Sequence, residues 1–192
     1  MLNTAFAART NEPFPHFQVQ DLLREGDAAR LLVWFQADAP WKLVVEEFYE
    51  QYEFSLLSAP LPSDVEFLIS PRFVAKVAYL LRDGFVEESE LELTEIAAHR
   101  LTDGQTIRVH NDFIGDEETH RFLVQINAGW EAKQGGLLML FNSRHPEDIA
   151  ELVLPSHNSG FGFEISPNSF HAVSTIYGGQ RFTLVYTFKR RP

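Results

Sequence analysis

From Leu91 onward the chain alternates apolar and polar residues in short runs, and the last run shows both of its faces. Arg181, Thr183, Val185 and Thr187 fall on one side of an extended segment, and Phe182, Leu184, Tyr186 and Phe188 on the other, because successive strand side chains point in opposite directions. An earlier run repeats the pattern, with Arg121, Leu123, Gln125 and Asn127 opposite Phe122, Val124 and Ile126. Eight such runs lie near 91–100, 105–111, 120–127, 136–142, 149–154, 161–165, 170–176 and 181–189. Asp103-Gly104 reads as a hairpin-type turn between the first two. Gly135-Gly136, Ser159-Gly160, Pro167-Asn168 and Gly178-Gly179 mark later turns. Short strands at this spacing predict a sandwich or barrel. The aromatic side of the last strand is expected to pack on helices, and its Arg/Thr side to line the interior. Charged and amide groups among inward positions imply a polar cavity, since burying them without partners is costly.

The residues before about 88 mix two periods. Asp21 to about Phe35 has helical spacing, with Leu22, Leu23, Ala28, Leu31, Leu32 and Phe35 as its apolar stripe. A second helix fits Pro71 to Arg82, with Ser70 as N-cap, Pro71 at the first helical position and Gly84 as the stop. Between them, Trp41 to Leu57 is aromatic-rich and strand-like. Nothing in the texture marks a linker or an internal repeat. The 192 residues therefore predict one domain, on a prior of roughly 150 residues each. Residues 1–90 form its helix and strand support, and 91–192 its β core.

Composition narrows the chemistry. There is no cysteine, so disulfides and thiolate metal ligands are excluded, and any metal must be held by nitrogen and oxygen. A formal charge of −11, from 27 acidic against 16 basic residues, argues against a nucleic-acid binder. Lys189-Arg190-Arg191 reads as a solvated terminus. No segment reaches the ~18 consecutive apolar residues of a membrane span. The opening MLNTAFAARTNEPFP lacks the basic-then-apolar order of a secretory signal. A cytoplasmic location is expected.

His110-Asn111-Asp112 puts an imidazole and a carboxylate on the same side of an extended segment, and His171 follows as a second imidazole. Two imidazoles and one carboxylate leave the other positions of a six-coordinate metal open. That suits non-haem Fe(II), which must hold a co-substrate and dioxygen together. Arg181-x-Thr183, ten residues after the distal histidine, supplies a guanidinium fork and a hydroxyl.

The set His110-x-Asp112, His171 and Arg181-x-Thr183 on eight strands resembles the Fe(II)- and 2-oxoglutarate-dependent oxygenases, closest to the prolyl-hydroxylase branch. Two further stretches carry the likeness: LVQINAGWEAKQGGLLMLF over 123–141 and FEISPNSFH over 163–171. Arg100 and Gly104 before His110, and PFPHF over 13–17, are similar to the lead-ins of many small members. The resemblance implies a mainly β fold with flanking helices, a double-stranded β-helix (jelly-roll, cupin-like) with N-terminal helices packed on one sheet. It further implies Fe(II) held by His110, Asp112 and His171, with Arg181 and Thr183 on the distal carboxylate of 2-oxoglutarate. Dioxygen is then consumed, succinate and carbon dioxide are released, and a C–H bond of an amino acid, peptide or protein is hydroxylated, with ascorbate as reductant. Leu101 and Gln125 stand where many members have tyrosine; the Gln125 amide can still bond the co-substrate, and Leu101 cannot.

Other residues read as structure. His16, His99, His120, His145 and His157 are expected at the surface or in structural roles, Trp130 packs near a strand junction, and Arg121 forms an ion pair at a strand end. Asp116-Glu117-Glu118 reads as a solvated acidic loop. Two alternatives stay open: the same chemistry on a small metabolite or biosynthetic peptide, and a non-catalytic β-helix that binds a ligand or metal for sensing.

Overall fold

The structure, a computed structural model, describes residues 2–3 and 9–191. Its chain order is β1 (His16–Val19), α1 (Glu25–Ala37), β2 (Lys42–Val45), β3 (Glu50–Ser55), α2 (Pro71–Phe85), β4 (Leu91–Thr102) and β5 (Ile107–His110). It continues through β6 (His120–Gln125), β7 (Leu138–Phe141), β8 (Ile149–Val153), β9 (Ser159–Glu164), β10 (His171–Val173) and β11 (Gln180–Arg190). A seven-stranded sheet runs β1-β9-β6-β11-β4-β3-β2, and a four-stranded sheet runs β5-β10-β7-β8. Every pairing between the strands is antiparallel. This is a jelly-roll double-stranded β-helix, mainly β, and each of the eight expected C-terminal runs is one of its strands.

The two faces of the large sheet meet different surroundings, as the alternation requires. Phe182, Leu184, Tyr186 and Phe188 of β11 join Phe122 and Val124 of β6 in a cluster with Leu31 and Phe35 of α1 and Val77 and Leu81 of α2. The buried Tyr186 hydroxyl donates to the Leu68 carbonyl at 3.0 Å, so its burial leaves no unmet polar group. The opposite face supplies Leu123, Phe161, Phe163 and Val185, which pack against Leu138 and Leu140 of the small sheet. Leu101, Val173 and Ile176 close the far end. Between the two inner clusters lies the polar cavity.

Several local expectations change. The stripe at Leu22 and Leu23 is buried but precedes α1. Asn158 holds it instead: its Oδ1 accepts from the Leu23 N–H at 2.8 Å and its Nδ2 donates to the Leu23 carbonyl at 2.9 Å. Ser70 caps α2, its hydroxyl accepting from the Phe73 N–H. Gly84, however, lies inside the helix, which ends on Val86 in the left-handed region at φ 54°. Gly84 is there for closeness: a Cβ on it would stand 2.4 Å from the Phe17 ring. Ser159-Gly160 is strand, with the ring of Phe122 filling the space beside Gly160. Asp103-Gly104 does turn the chain, yet β4 and β5 enter different sheets, so they form no hairpin. The basic tail is tied down: Arg190 pairs with Glu87 and Glu164, and Arg191 with Glu92.

Candidate functional site

Antiparallel pairing of β10 with β5 sets His171 directly opposite His110. Their ring centroids are 4.3 Å apart. Asp112, two residues past the end of β5, returns to the same point. Its Oδ1 lies 3.5 Å from His110 Nε2 and its Oδ2 3.2 Å from His171 Nε2. Both imidazoles are oriented from behind: Nδ1 of His110 bonds the Arg108 carbonyl and Nδ1 of His171 the Ser169 carbonyl, each at 2.8 Å. A carbonyl only accepts, so each Nδ1 carries the proton and each Nε2 offers a lone pair. Two lone pairs and a carboxylate thus face one another with no hydrogen between them. Such a donor set fits a cation, and these three residues are grouped closely enough to hold a metal ion.

The charges agree. Burial and the neighbouring His171 lower the pKa of His110, which keeps it a neutral donor. Burial by itself would raise the Asp112 carboxyl, but Arg121 and His171 hold it well below its ordinary range. Arg121 Nη1 approaches Asp112 Oδ2 at 2.7 Å, an ion pair without hydrogen-bond alignment, and its Nη2 takes Glu118 at 2.8 Å. Phe48, from the turn between β2 and β3, stacks on His110 with centroids 4.5 Å apart.

A cavity of about 280 Å³ is lined both by this triad and by Arg181 and Thr183 from the inner face of the large sheet. Arg181 is 4% exposed and its Nε has no partner. Among the described residues no carboxylate pairs with it, and burial lowers its pKa to about 10. A guanidinium buried without a counter-ion is unfavourable by several kcal/mol until an anion arrives. Gly136, at φ 64°, makes its room: a Cβ there would stand 2.9 Å from Arg181 Cδ and 2.7 Å from Ile176 Cδ1. Trp130 closes the same corner, donating its Nε1–H to the Gly135 carbonyl at 2.9 Å. Thr183 lines the cavity, and its hydroxyl donates to Gln125 Oε1 at 2.9 Å. Gln125 therefore stands behind Thr183 rather than on the cavity wall.

Residues 96–189, from within β4 to within β11, match the family model described as the 2OG-Fe(II) oxygenase superfamily. The chain belongs to that superfamily. As a 2OG-Fe(II) oxygenase it is an oxidoreductase, of a family that works with Fe(II), 2-oxoglutarate and dioxygen. Solved structures share its fold. A Pseudomonas putida prolyl-4-hydroxylase superposes with a TM-score of 0.71 at 16% identity, over 92% of this chain and 93% of the other. A Trichoplax adhaerens prolyl hydroxylase, in complex with a hypoxia-inducible-factor peptide fragment, gives 0.72 at 12% identity, over 91% and 83%. A viral collagen prolyl hydroxylase from Paramecium bursaria Chlorella virus 1, in complex with 2OG, gives 0.67 at 12% identity, over 92% and 96%.

The oxygenase also carries groups on this cavity that the sequence reading had put elsewhere. His99 is the clearest: it lines the cavity, and burial with Arg121 and Arg181 nearby lowers its pKa to about 3. Period-two alternation back from Leu101 on β4 was the available signal, since it turns Ala97, His99 and Leu101 the same way. Arg121 does form an ion pair, but with Asp112 and on the cavity wall. Glu118 is correspondingly engaged by Arg121 rather than free in solvent. A second trio, Glu87, His120 and Glu164, is also tightly grouped. There Arg190 already bridges both carboxylates, reaching Glu164 at 3.0 Å, so the cationic partner is present. Among the described residues, no helix is long and apolar enough to cross a membrane.

Proposed function

We propose that this oxygenase hydroxylates a C–H bond of an amino-acid, peptide or protein substrate, in the manner of the prolyl hydroxylases. His110, Asp112 and His171 hold Fe(II), and Arg181 with Thr183 holds the distal carboxylate of 2-oxoglutarate. The observation that carries this reading is the partnerless Arg181 guanidinium in the wall of the same cavity that the triad lines. An anion with a second chelating end fits both, and a bidentate fork fixes a carboxylate better than a point charge.

When bound, the metal and co-substrate supply the oxidation: dioxygen gives one oxygen atom to succinate as carbon dioxide leaves, and the other to the substrate carbon. The protein's own groups orient and shield. The Arg108 and Ser169 carbonyls fix the imidazole tautomers. Arg121 keeps Asp112 ionised, and Gln125 braces Thr183. Ascorbate acts as external reductant, and the enzyme works in the cytoplasm, where Fe(II) persists. A peptide or protein substrate is supported by the fold shared with prolyl hydroxylases, one of them in complex with a peptide fragment.

The test is turnover of 2-oxoglutarate with Fe(II), followed as succinate release, with and without proline-containing peptides screened by mass spectrometry. The expected result is succinate release stimulated by a peptide that gains one oxygen atom. Absence of succinate above background under all conditions contradicts the proposal.

A further inference from the structure

The large sheet sets four polar residues in register: Glu53 on β3, His99 on β4 and Thr183 on β11, which line the cavity, and Gln125 on β6, which stands behind Thr183. Residues directly opposite on neighbouring strands have Cβ atoms about 5 Å apart, so each neighbours the next. Of the three that line the cavity, every side chain but one already has a polar partner. The Thr183 hydroxyl has a single proton, which it gives to Gln125 Oε1. The Glu53 carboxyl accepts from Gln51 Nε2 at 2.7 Å. One rung along, Leu101 faces Arg181 and offers nothing polar.

His99 is the exception. Neither of its ring nitrogens has a hydrogen-bond partner among the described residues, and its ring opens onto the cavity. Burial, and then the charges of Arg121 and Arg181, disfavour a third cation there, so it is a neutral imidazole. A neutral imidazole always carries one N–H. The Arg181 fork has its own unmet donor in the same space.

We propose that His99 is a direct ligand of the co-substrate, donating its ring N–H to the distal carboxylate of 2-oxoglutarate beside Arg181. The carboxylate then receives a charged fork from one strand and a neutral donor from the next. The bond adds no further positive charge to a region that already contains two arginines. Thr183 packs beside the carboxylate while its own proton stays engaged by Gln125 Oε1, which leaves the donor place to His99. This inference rests on the reading of the cavity as a 2-oxoglutarate site.

The experiment is calorimetric titration of the Mn(II)-loaded protein, without oxygen, using 2-oxoglutarate and 2-oxobutyrate, which lacks the distal carboxylate. His99→Leu is expected to weaken 2-oxoglutarate about tenfold or more, the effect of losing a hydrogen bond to a charged group. It leaves 2-oxobutyrate within about twofold of wild type, and His99→Gln, which keeps an N–H, recovers part of the loss. Equal weakening of both ligands, or of neither, overturns the inference. Wild-type protein that binds 2-oxobutyrate and 2-oxoglutarate alike, or neither, overturns the underlying 2-oxoglutarate reading instead. Should His99→Leu not fold, imidazole ¹⁵N resonances of Zn(II)-loaded wild type decide. A His99 signal, assigned by its loss in His99→Gln, moves on adding 2-oxoglutarate if the inference holds, and stays put if it does not.

Discussion

Arg121 Nη1 stands 2.7 Å from Asp112 Oδ2, inside the wall of the cavity and on the side of the carboxylate away from His110. One basic residue on β6 thereby keeps a buried carboxylate ionised and aimed at two imidazoles. Removing it leaves Asp112 both uncompensated and free to turn. Arg121→Gln is therefore expected to weaken Fe(II) or Mn(II) binding about 10- to 100-fold, the usual effect of losing a residue that orients a metal ligand. Glu118→Gln, which touches only the outer side of Arg121, should change affinity much less. Metal titration of the two variants checks this; equal effects contradict it.

Gly136 lies just before the apolar strand β7 and against Arg181. A side chain there meets Ile176 and Arg181 at under 3 Å, and the positive φ disfavours any L residue. Gly136→Ala is expected to destabilise the fold by about 1–3 kcal/mol, the range for overpacking. It should also raise the KM for 2-oxoglutarate, because Arg181 must shift. Gly178→Ala, with open space around its Cβ position, carries the backbone strain alone. Denaturant unfolding and a KM measurement separate the two; an unchanged KM in Gly136→Ala contradicts the crowding of Arg181.

The same alternation that was legible in the sequence explains which parts of this site were found. Arg181 and Thr183 were read correctly as inward because β11 keeps strict period two through both residues. His110, Asp112 and His171 stand out in the sequence because the residue types are rare in combination, and strand pairing brings them together. His99 was passed over since its value depends on a register: only the pairing of β4 with β11 sets it beside Thr183. Glu118 differs from its loop neighbours because Arg121, inward on β6 beside Asp112, also reaches back to it. At Gly84 the local rule for a helix stop was overridden by the ring of Phe17, a contact between distant parts of the chain.

Stability should fall on acidification through the Glu87, His120 and Glu164 cluster. Burial and Arg190 lower His120 to about 4 from 6.5. Its contribution is complete above pH 6.5 and is lost as pH falls through 4, because the unfolded chain takes up the proton first. Glu87 moves to about 2 from 4.5: burial alone would raise it, but its bonds to Arg190 and Ser89 outweigh that. Its contribution is complete above pH 4.5 and fades towards pH 2. For the fully buried His120 the slope approaches about 1.4 kcal/mol per pH unit between those limits. Thermal unfolding from pH 7.5 to 3.5 should show His120→Phe flattening the curve between 6.5 and 4, and Glu87→Gln flattening it only below 4.5. Parallel curves for all three proteins contradict the assignment.

The most direct measurement is an oxygen-free titration of the Fe(II)-loaded protein with 2-oxoglutarate, followed by the visible charge-transfer absorption of an iron–2-oxo acid chelate. The account predicts a saturable band in the wild type and none in His171→Ala. In Arg181→Met the band should require roughly 100-fold more 2-oxoglutarate, as expected when one partner of a buried charge pair is removed. A wild-type protein without the band, or an Arg181→Met variant that saturates at the wild-type concentration, contradicts it.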